Sequence, residues 1–232
     1  MTDTNPKQKI NTLSEVLIEI RFSPVNDTSL IVGNIFTELK GRYPNFINLN
    51  VPDLPDGFPD IKNIVKYRFT TKDEKNLYQL GKGVLAINTL NYVNFTKFLE
   101  DVNQVLTAYK KLSGVKIIER IGLRYINKIK VKNHEINKYF NINLTLPEIL
   151  QRSEASFSFQ TNSQFDGDQM VTRLLTEQPT ANEIVILDFD YSNQMNQEYD
   201  MKNLNKWVTK AHDIIYEAYR SSLTDTFYNK LI

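Results

Sequence analysis

Arg120, Arg124 and Lys128 are the residues whose types and spacing most invite chemistry, and they recur four apart within one apolar-rich stretch, residues 117–129. Side chains alternate across a strand, so if this stretch is extended the three cations line one sheet surface. Ile117, Ile121, Leu123, Tyr125 and Ile129 then face the other way, while Ile118, Gly122 and Ile126 interrupt the basic stripe. An earlier segment alternates in the same manner. Val16, Ile18, Ile20 and Phe22 occupy one face, and Leu17, Glu19 and Arg21 the other. Should the two strands pair, Glu15, Glu19 and Arg21 come close to Arg120, Arg124 and Lys128. Such a surface could recognise a partner or hold an anion in arginine forks, which present paired donors to carboxylate or phosphate. The alternative is cross-strand ion pairing on a solvated sheet, where each pair contributes only about 0.2–1 kcal/mol. Gly122, between the two arginines, favours a functional reading, because mid-strand glycine often marks a bulge or the close approach of another group.

Other constellations are weaker. Asp188 and Asp190 share one strand face with Ile184 and Ile186, and two carboxylates so placed would suit Mg²⁺. No third acidic residue follows at a matching spacing, so partnering an arginine is the expected role and no metal or other cofactor is expected. Of the two histidines, His134 sits in a polar stretch and is expected to be exposed. His212 flanks an apolar helical stripe, the setting of a hydrogen-bonded packing residue more than of a catalytic base. Cysteine is absent, which excludes thiol chemistry, disulfides and cysteine zinc sites. No Gly-x-Ser-x-Gly elbow occurs, and Gly81-Lys82-Gly83 has the look of a hairpin turn without the spacing of a phosphate loop. Most of the aromatic residues fall on apolar stripes, where core filling accounts for them.

The elements that must position these residues are legible in outline. Residues 1–12 are polar and are expected to form a flexible tail. After the first strand, Pro24 interrupts the ladder, and Asp27-Thr28-Ser29 offers caps for a helix carrying Ile31, Ile35, Leu39 and Tyr43. Residues 51–59, rich in proline, form a loop. Strands are expected at 64–70, 76–81 and 84–89. A helix from about Asn94 follows, with Phe95, Phe98, Leu99, Val102, Leu106, Tyr109 and Leu112 on one stripe, stopped at Ser113-Gly114. The second half repeats the order: strand 116–130, weakly helical residues 136–151 broken at Pro147, strands near 155–161, 169–176 and 183–191, and a helix from about 200 to 225. In that last helix Leu204, Val208, Ala211, Ile215 and Tyr219 make the buried stripe, with Trp207 and His212 at its margins. Val16 to Phe95 spans 79 residues and Gly122 to Leu204 spans 82. The expected fold is therefore α+β, a mainly antiparallel sheet with helices on one face. It forms a single domain over 13–232, duplicated from a β-α-β-β-β-α unit with halves of about 13–114 and 115–232. The two leading strands would lie side by side at its centre.

Ser14 to Phe22, Tyr78-Gln79-Leu80-Gly81, Tyr139-Phe140, the closing helix with Trp207, Ala211-His212 and Phe227, and above all Arg120-x-Gly122-x-Arg124-Tyr125-x-Asn127 carry a resemblance. In these stretches the chain resembles a family of uncharacterised, sporadically distributed bacterial proteins. The family has no established activity to carry over, and its patchy distribution implies an accessory gene such as one of a defence or toxin–antitoxin locus. Lys and Arg total 28 against 27 Asp and Glu, a net charge of +1, which argues against a nucleic-acid-coating protein while leaving room for a local basic patch. No signal-like or membrane-spanning run is present, so a cytoplasmic protein with no membrane partner is expected. The leading expectation is a non-catalytic interaction or regulatory module with a protein partner. A nucleic-acid binder using the Arg120, Arg124 and Lys128 stripe is one alternative. An enzyme acting on an anionic small molecule is the other.

Overall fold

The computed structural model describes residues 12–23, 28–51, 63–131, 136–142, 157–176 and 183–231. One antiparallel sheet of ten strands organises them. The chain runs β1 (Leu13–Phe22), α1 (Thr28–Leu39), β2 (Asn45–Asn48), β3 (Val65–Thr70), β4 (Asn76–Gly81), β5 (Val84–Thr89) and α2 (Phe95–Ser113). It continues with β6 (Ile117–Val131), α3 (Ile136–Tyr139), β7 (Ser158–Phe165), β8 (Asp168–Thr176), β9 (Glu183–Asn193), β10 (Gln197–Glu198), α4 (Met201–Ser222) and α5 (Asp225–Leu231). The strand order is β2-β3-β4-β5-β1-β6-β9-β8-β7, with β10 paired to β6 off this path. β1 thus pairs with β5, the last of the four strands that follow it, one more than the three expected, β6 pairs with β9, and β1 and β6 meet at the centre.

The expected α+β architecture is the one observed, including the pairing of the two leading strands. Val16 pairs with Tyr125, Ile18 with Leu123 and Ile20 with Ile121, all in the core. Alternation explains this: these apolar positions fall on one face of each strand, and α1, α2 and α4 pack over that face. Asn94 caps α2 by accepting from the Lys97 amide, and Gly114 at φ 64° closes it with a left-handed residue. In α4 the buried stripe comprises Leu204, Trp207, Val208, Ala211 and Ile215. Burying each large side chain there contributes about 1.5–3 kcal/mol.

Four expectations need correction. Ile118 is in the core, because the register slips between Arg21, which faces Arg120, and Phe22, which faces Ile118; the bulge turns Ile118 inward beside Phe22. Thr12 is no part of a loose tail: it is buried, its hydroxyl bonding the Asn127 amide oxygen and the Tyr219 hydroxyl. The closing helix stops at Ser222 and a separate α5 follows, tied back through a bridge between Phe140 and Leu223 and a Tyr139–Phe227 edge contact. Trp207 belongs to the buried stripe, not its margin. Asp27, the proline-rich residues 52–59, His134 and residues 143–151 lie outside the described residues.

Trp207 is drawn in by a charged hub. Asp168, only 2% exposed, opens β8 and accepts hydrogen bonds from Tyr191 Oη at 2.7 Å, Trp207 Nε1 at 2.9 Å, Lys210 Nζ at 2.9 Å and Asn193 Nδ2. Burial pushes this carboxyl up, but the donations from Trp207, Lys210, Tyr191 and Asn193 outweigh it and hold the group below the ordinary aspartate range. One carboxylate so joins β8, β9 and α4.

Candidate functional site

The sheet face opposite the core carries no helix among the described residues, and it is crossed by a polar ladder. On the β6 side, Arg124 reaches diagonally to β9 and grips Asp188 with both prongs of its guanidinium, Nε to Oδ1 at 2.8 Å and Nη2 to Oδ2 at 2.7 Å. Arg173, directly opposite Asp188 on β8, donates Nη1 to the same carboxylate at 2.9 Å, and its Nε reaches Gln160 of β7 at 3.1 Å. On the β1 side, Asn88 of β5 donates to Glu15 at 2.7 Å, and Gln79 of β4 donates to Asn88 at 3.4 Å. Arg68 of β3 extends the row to Gln79 at 3.5 Å. Strand register builds the ladder, since the polar residues occupy alternate positions on neighbouring strands.

A second cluster sits one step further along the central seam. Arg21 and Arg120 face each other across β1 and β6, a like-charge opposition that would be destabilising on its own. Glu19 resolves it by accepting from Arg21 Nε at 2.8 Å and from Arg120 Nη1 at 3.1 Å. Asp190 adds a longer contact, 4.0 Å from Arg120 Nη2. Gly122 has a local explanation here. A Cβ at that position would meet Arg120 Nη1 at 3.1 Å and Nη2 at 3.4 Å, so the missing side chain lets the guanidinium lie across β6 towards Glu19.

The expected residues therefore share one surface but divide differently. Arg120, Glu19 and Arg21 form one cluster, and Arg124 joins Asp188 in another. Arg124 does not pair with Glu15 or Glu19, because its bidentate partner lies on the opposite neighbour, β9. Lys128 is further along β6, exposed and opposite Ile186. The hydrogen bond to Asp188 raises the Arg124 pKa against the opposing effect of burial, with Asp190 and Glu15 adding to the field. Asp188 accepts from two arginines, the expected role for this carboxylate, and no cluster of three His, Cys, Asp or Glu residues that could hold an ion occurs among the described residues. Arg173, Gln160, Asn88, Gln79 and Arg68 were not singled out from the sequence. The alternation of β3, β4, β5, β7 and β8 places them on the right face, but only pairing shows which neighbour each one meets.

The fork of Arg124 is already filled by a carboxylate, the arrangement that such a fork would offer to a free anion. An incoming phosphate would have to displace Asp188, which is only 2% exposed. The surface thus carries charges of both signs, with Arg21, Arg120, Arg124 and Arg173 each paired to a carboxylate, while the buried Arg68 Nε has no hydrogen-bond partner among the described residues. What it presents is shape and the exposed edges of paired groups.

His212 lies on the other side of the sheet. Its ring stacks on Phe95 with centroids 4.0 Å apart and planes within 4°, and its Nδ1 lies 2.8 Å from the Tyr125 hydroxyl. Burial lowers its pKa, partly offset by Asp213. It is a hydrogen-bonded packing histidine that also borders a cavity. Among the described residues no helix is long and apolar enough to cross a membrane. Set against known proteins, the chain matches no family model and no curated protein is significantly similar in sequence, so the functional argument rests on this geometry.

Proposed function

We propose that the protein is a non-catalytic interaction module whose polar sheet face, opposite the core, docks a protein partner. The observation that carries this reading is the internal pairing of the face. Arg124 and Arg173 share Asp188, and Arg21 and Arg120 share Glu19. A nucleic-acid surface needs arginines and lysines offered to phosphate. Here the arginines are held flat against the sheet by carboxylates, and half-buried Leu17, Ile126, Val171 and Ile186 lie between them. Mixed polarity of this kind suits a protein interface, whose affinity comes from packed apolar contacts with a rim of satisfied polar groups. The order β1-β5-β4-β3 mirrors β6-β9-β8-β7, with β2 and β10 as additions, and this likeness supports descent from one duplicated unit. An accessory-locus setting, implied by the family resemblance, belongs to the same proposal.

Site-specific photocrosslinking in the native host tests it. A photoreactive residue replacing Leu17 or Lys128, on the sheet face, should capture one and the same protein, insensitive to nuclease. The same residue replacing exposed Thr209 on α4 should not. Capture of nucleic acid from the sheet positions, or of the same protein from position 209 alone, would overturn the proposal.

A further inference from the structure

Behind the sheet, the start of α2, the middle of α4, α5 and the adjoining ends of β1 and β6 border an open cavity of about 610 Å³. We propose that this cavity is a binding site for an uncharged, planar aromatic small molecule that hydrogen-bonds to His212. Its volume lies in the range of small-molecule sites and far above what interior packing leaves empty. Tyr92, Phe95, Tyr125, Tyr216, Tyr219 and Tyr228 supply its walls, and no Lys, Arg, Asp or Glu is among its lining residues. An ion entering it would lose water without gaining a countercharge, whereas a flat apolar ring would find aromatic faces and edges.

One polar point in this wall is held rigidly. Phe95 fixes the plane of the His212 ring, and the Tyr125 hydroxyl engages Nδ1 at 2.8 Å. Tyr92 in turn packs against Tyr125, their ring centroids 5.9 Å apart, and steadies that hydroxyl's ring. Nε2 has no partner among the described residues. Burial favours the neutral imidazole, in which one nitrogen carries the proton and the other accepts. If Tyr125 donates to Nδ1, Nε2 donates to the guest; if Nδ1 donates to Tyr125, Nε2 accepts. Either direction serves a hydroxyl, which can do both. Tyr219 is already paired with Thr12 and Tyr216 with Tyr228, while Asn94 caps α2 and Asn127 is engaged by Thr12 and Leu187, so the recognition point assigned here is His212 Nε2. The site is independent of the sheet face, since it opens on the opposite side of β6.

The test uses four congeners with the full-length protein: 2-naphthol, naphthalene, 2-naphthalenesulfonate and 2-naphthyltrimethylammonium. Calorimetry or probe fluorescence should show saturable one-to-one binding of 2-naphthol, about fivefold tighter than naphthalene from one net hydrogen bond. Both charged congeners should bind more weakly than naphthalene. In His212→Phe the stacked ring is kept and the polar point lost, so 2-naphthol and naphthalene should become equal. Should that variant fail to fold, nitrogen NMR of the two wild-type histidines gives a second reading, with 2-naphthol shifting the His212 imidazole and leaving His134 unmoved. Absence of saturable binding, tighter binding of a charged congener, a 2-naphthol preference surviving in His212→Phe, or an unshifted His212 resonance would each overturn the proposal.

Discussion

Replacing Asp188 by asparagine tests the reading of the polar face most directly. The substitution keeps the shape and one acceptor oxygen but removes the charge that Arg124 and Arg173 share. Breaking a buried ion pair by deleting one partner costs about 3–5 kcal/mol when the other charge stays buried. Here the arginine side chains are 37% and 30% exposed, so both can recover water when released. The expected cost is accordingly about 2–3 kcal/mol, with the melting temperature falling by about 4–12 °C for a chain of this size. Urea titration should show a lower midpoint with an unchanged slope, since the surface exposed on unfolding stays the same. A double-mutant cycle then identifies the partner. Arg124→Ala with Asp188→Ala should show a coupling of about 1–3 kcal/mol, and Arg124→Ala with Glu19→Ala should add within about 0.5 kcal/mol. By the same logic Glu19→Arg will not rescue Arg124→Glu. A cost for Asp188→Asn below about 0.5 kcal/mol, or a coupling that appears with Glu19 instead, would refute the pairing and the neutral-surface reading built on it.

Asp168→Asn should cost about 3–4 kcal/mol, because Lys210 loses its countercharge and the buried Trp207 and Tyr191 donors lose their acceptor. The Asp168 carboxyl is depressed in the folded state, so its contribution is present above the unfolded aspartate pKa of about 4 and is lost as pH falls through the folded value. Acid unfolding followed by the fluorescence of Trp207, the single tryptophan, should therefore flatten in the variant, and an unchanged acid limb would count against the hub. For His212 the sign is the same with a different cause. Burial lowers its folded pKa, so the unfolded chain binds the extra proton first and stability falls as pH drops below about 6.5. His212→Gln should remove that part of the pH dependence while leaving stability at pH 8 within about 1 kcal/mol of wild type, as measured by urea titration. Truncation before Met201 should strip Leu204, Trp207, Val208, Ala211 and Ile215 from the core and leave the protein insoluble; a soluble fragment with a cooperative melt would show that α4 is peripheral.

Local periodicity by itself determined much of this protein. Strict alternation from Val16 to Phe22 and along β6 beyond its first residues can be buried in only one way, so the core face was legible residue by residue in β1 and from Ile121 onward in β6. The same holds for α2, where Asn94 and Gly114 mark the ends through side-chain capping and a left-handed backbone, both of which depend on adjacent residues. What alternation cannot supply is the neighbour. It set Arg120 and Arg124 on one surface, yet the choice between Glu19 and Asp188 as partners followed from which strand flanks β6 on each side and in which register. A one-residue slip was enough to bring Ile118 into the core against the pattern of its own strand. Thr12 belongs to the fold through contacts to Asn127 and Tyr219, 115 and 207 residues away, which no composition of the first dozen residues foreshadows. The cavity is the clearest case. Its wall joins Tyr92, Tyr125, His212 and Tyr228 from separate elements, and each of them taken alone is an ordinary core or margin aromatic. Short-range chemistry selects helices, strands and faces, whereas partners and cavities arise only when packing brings distant segments to a common register.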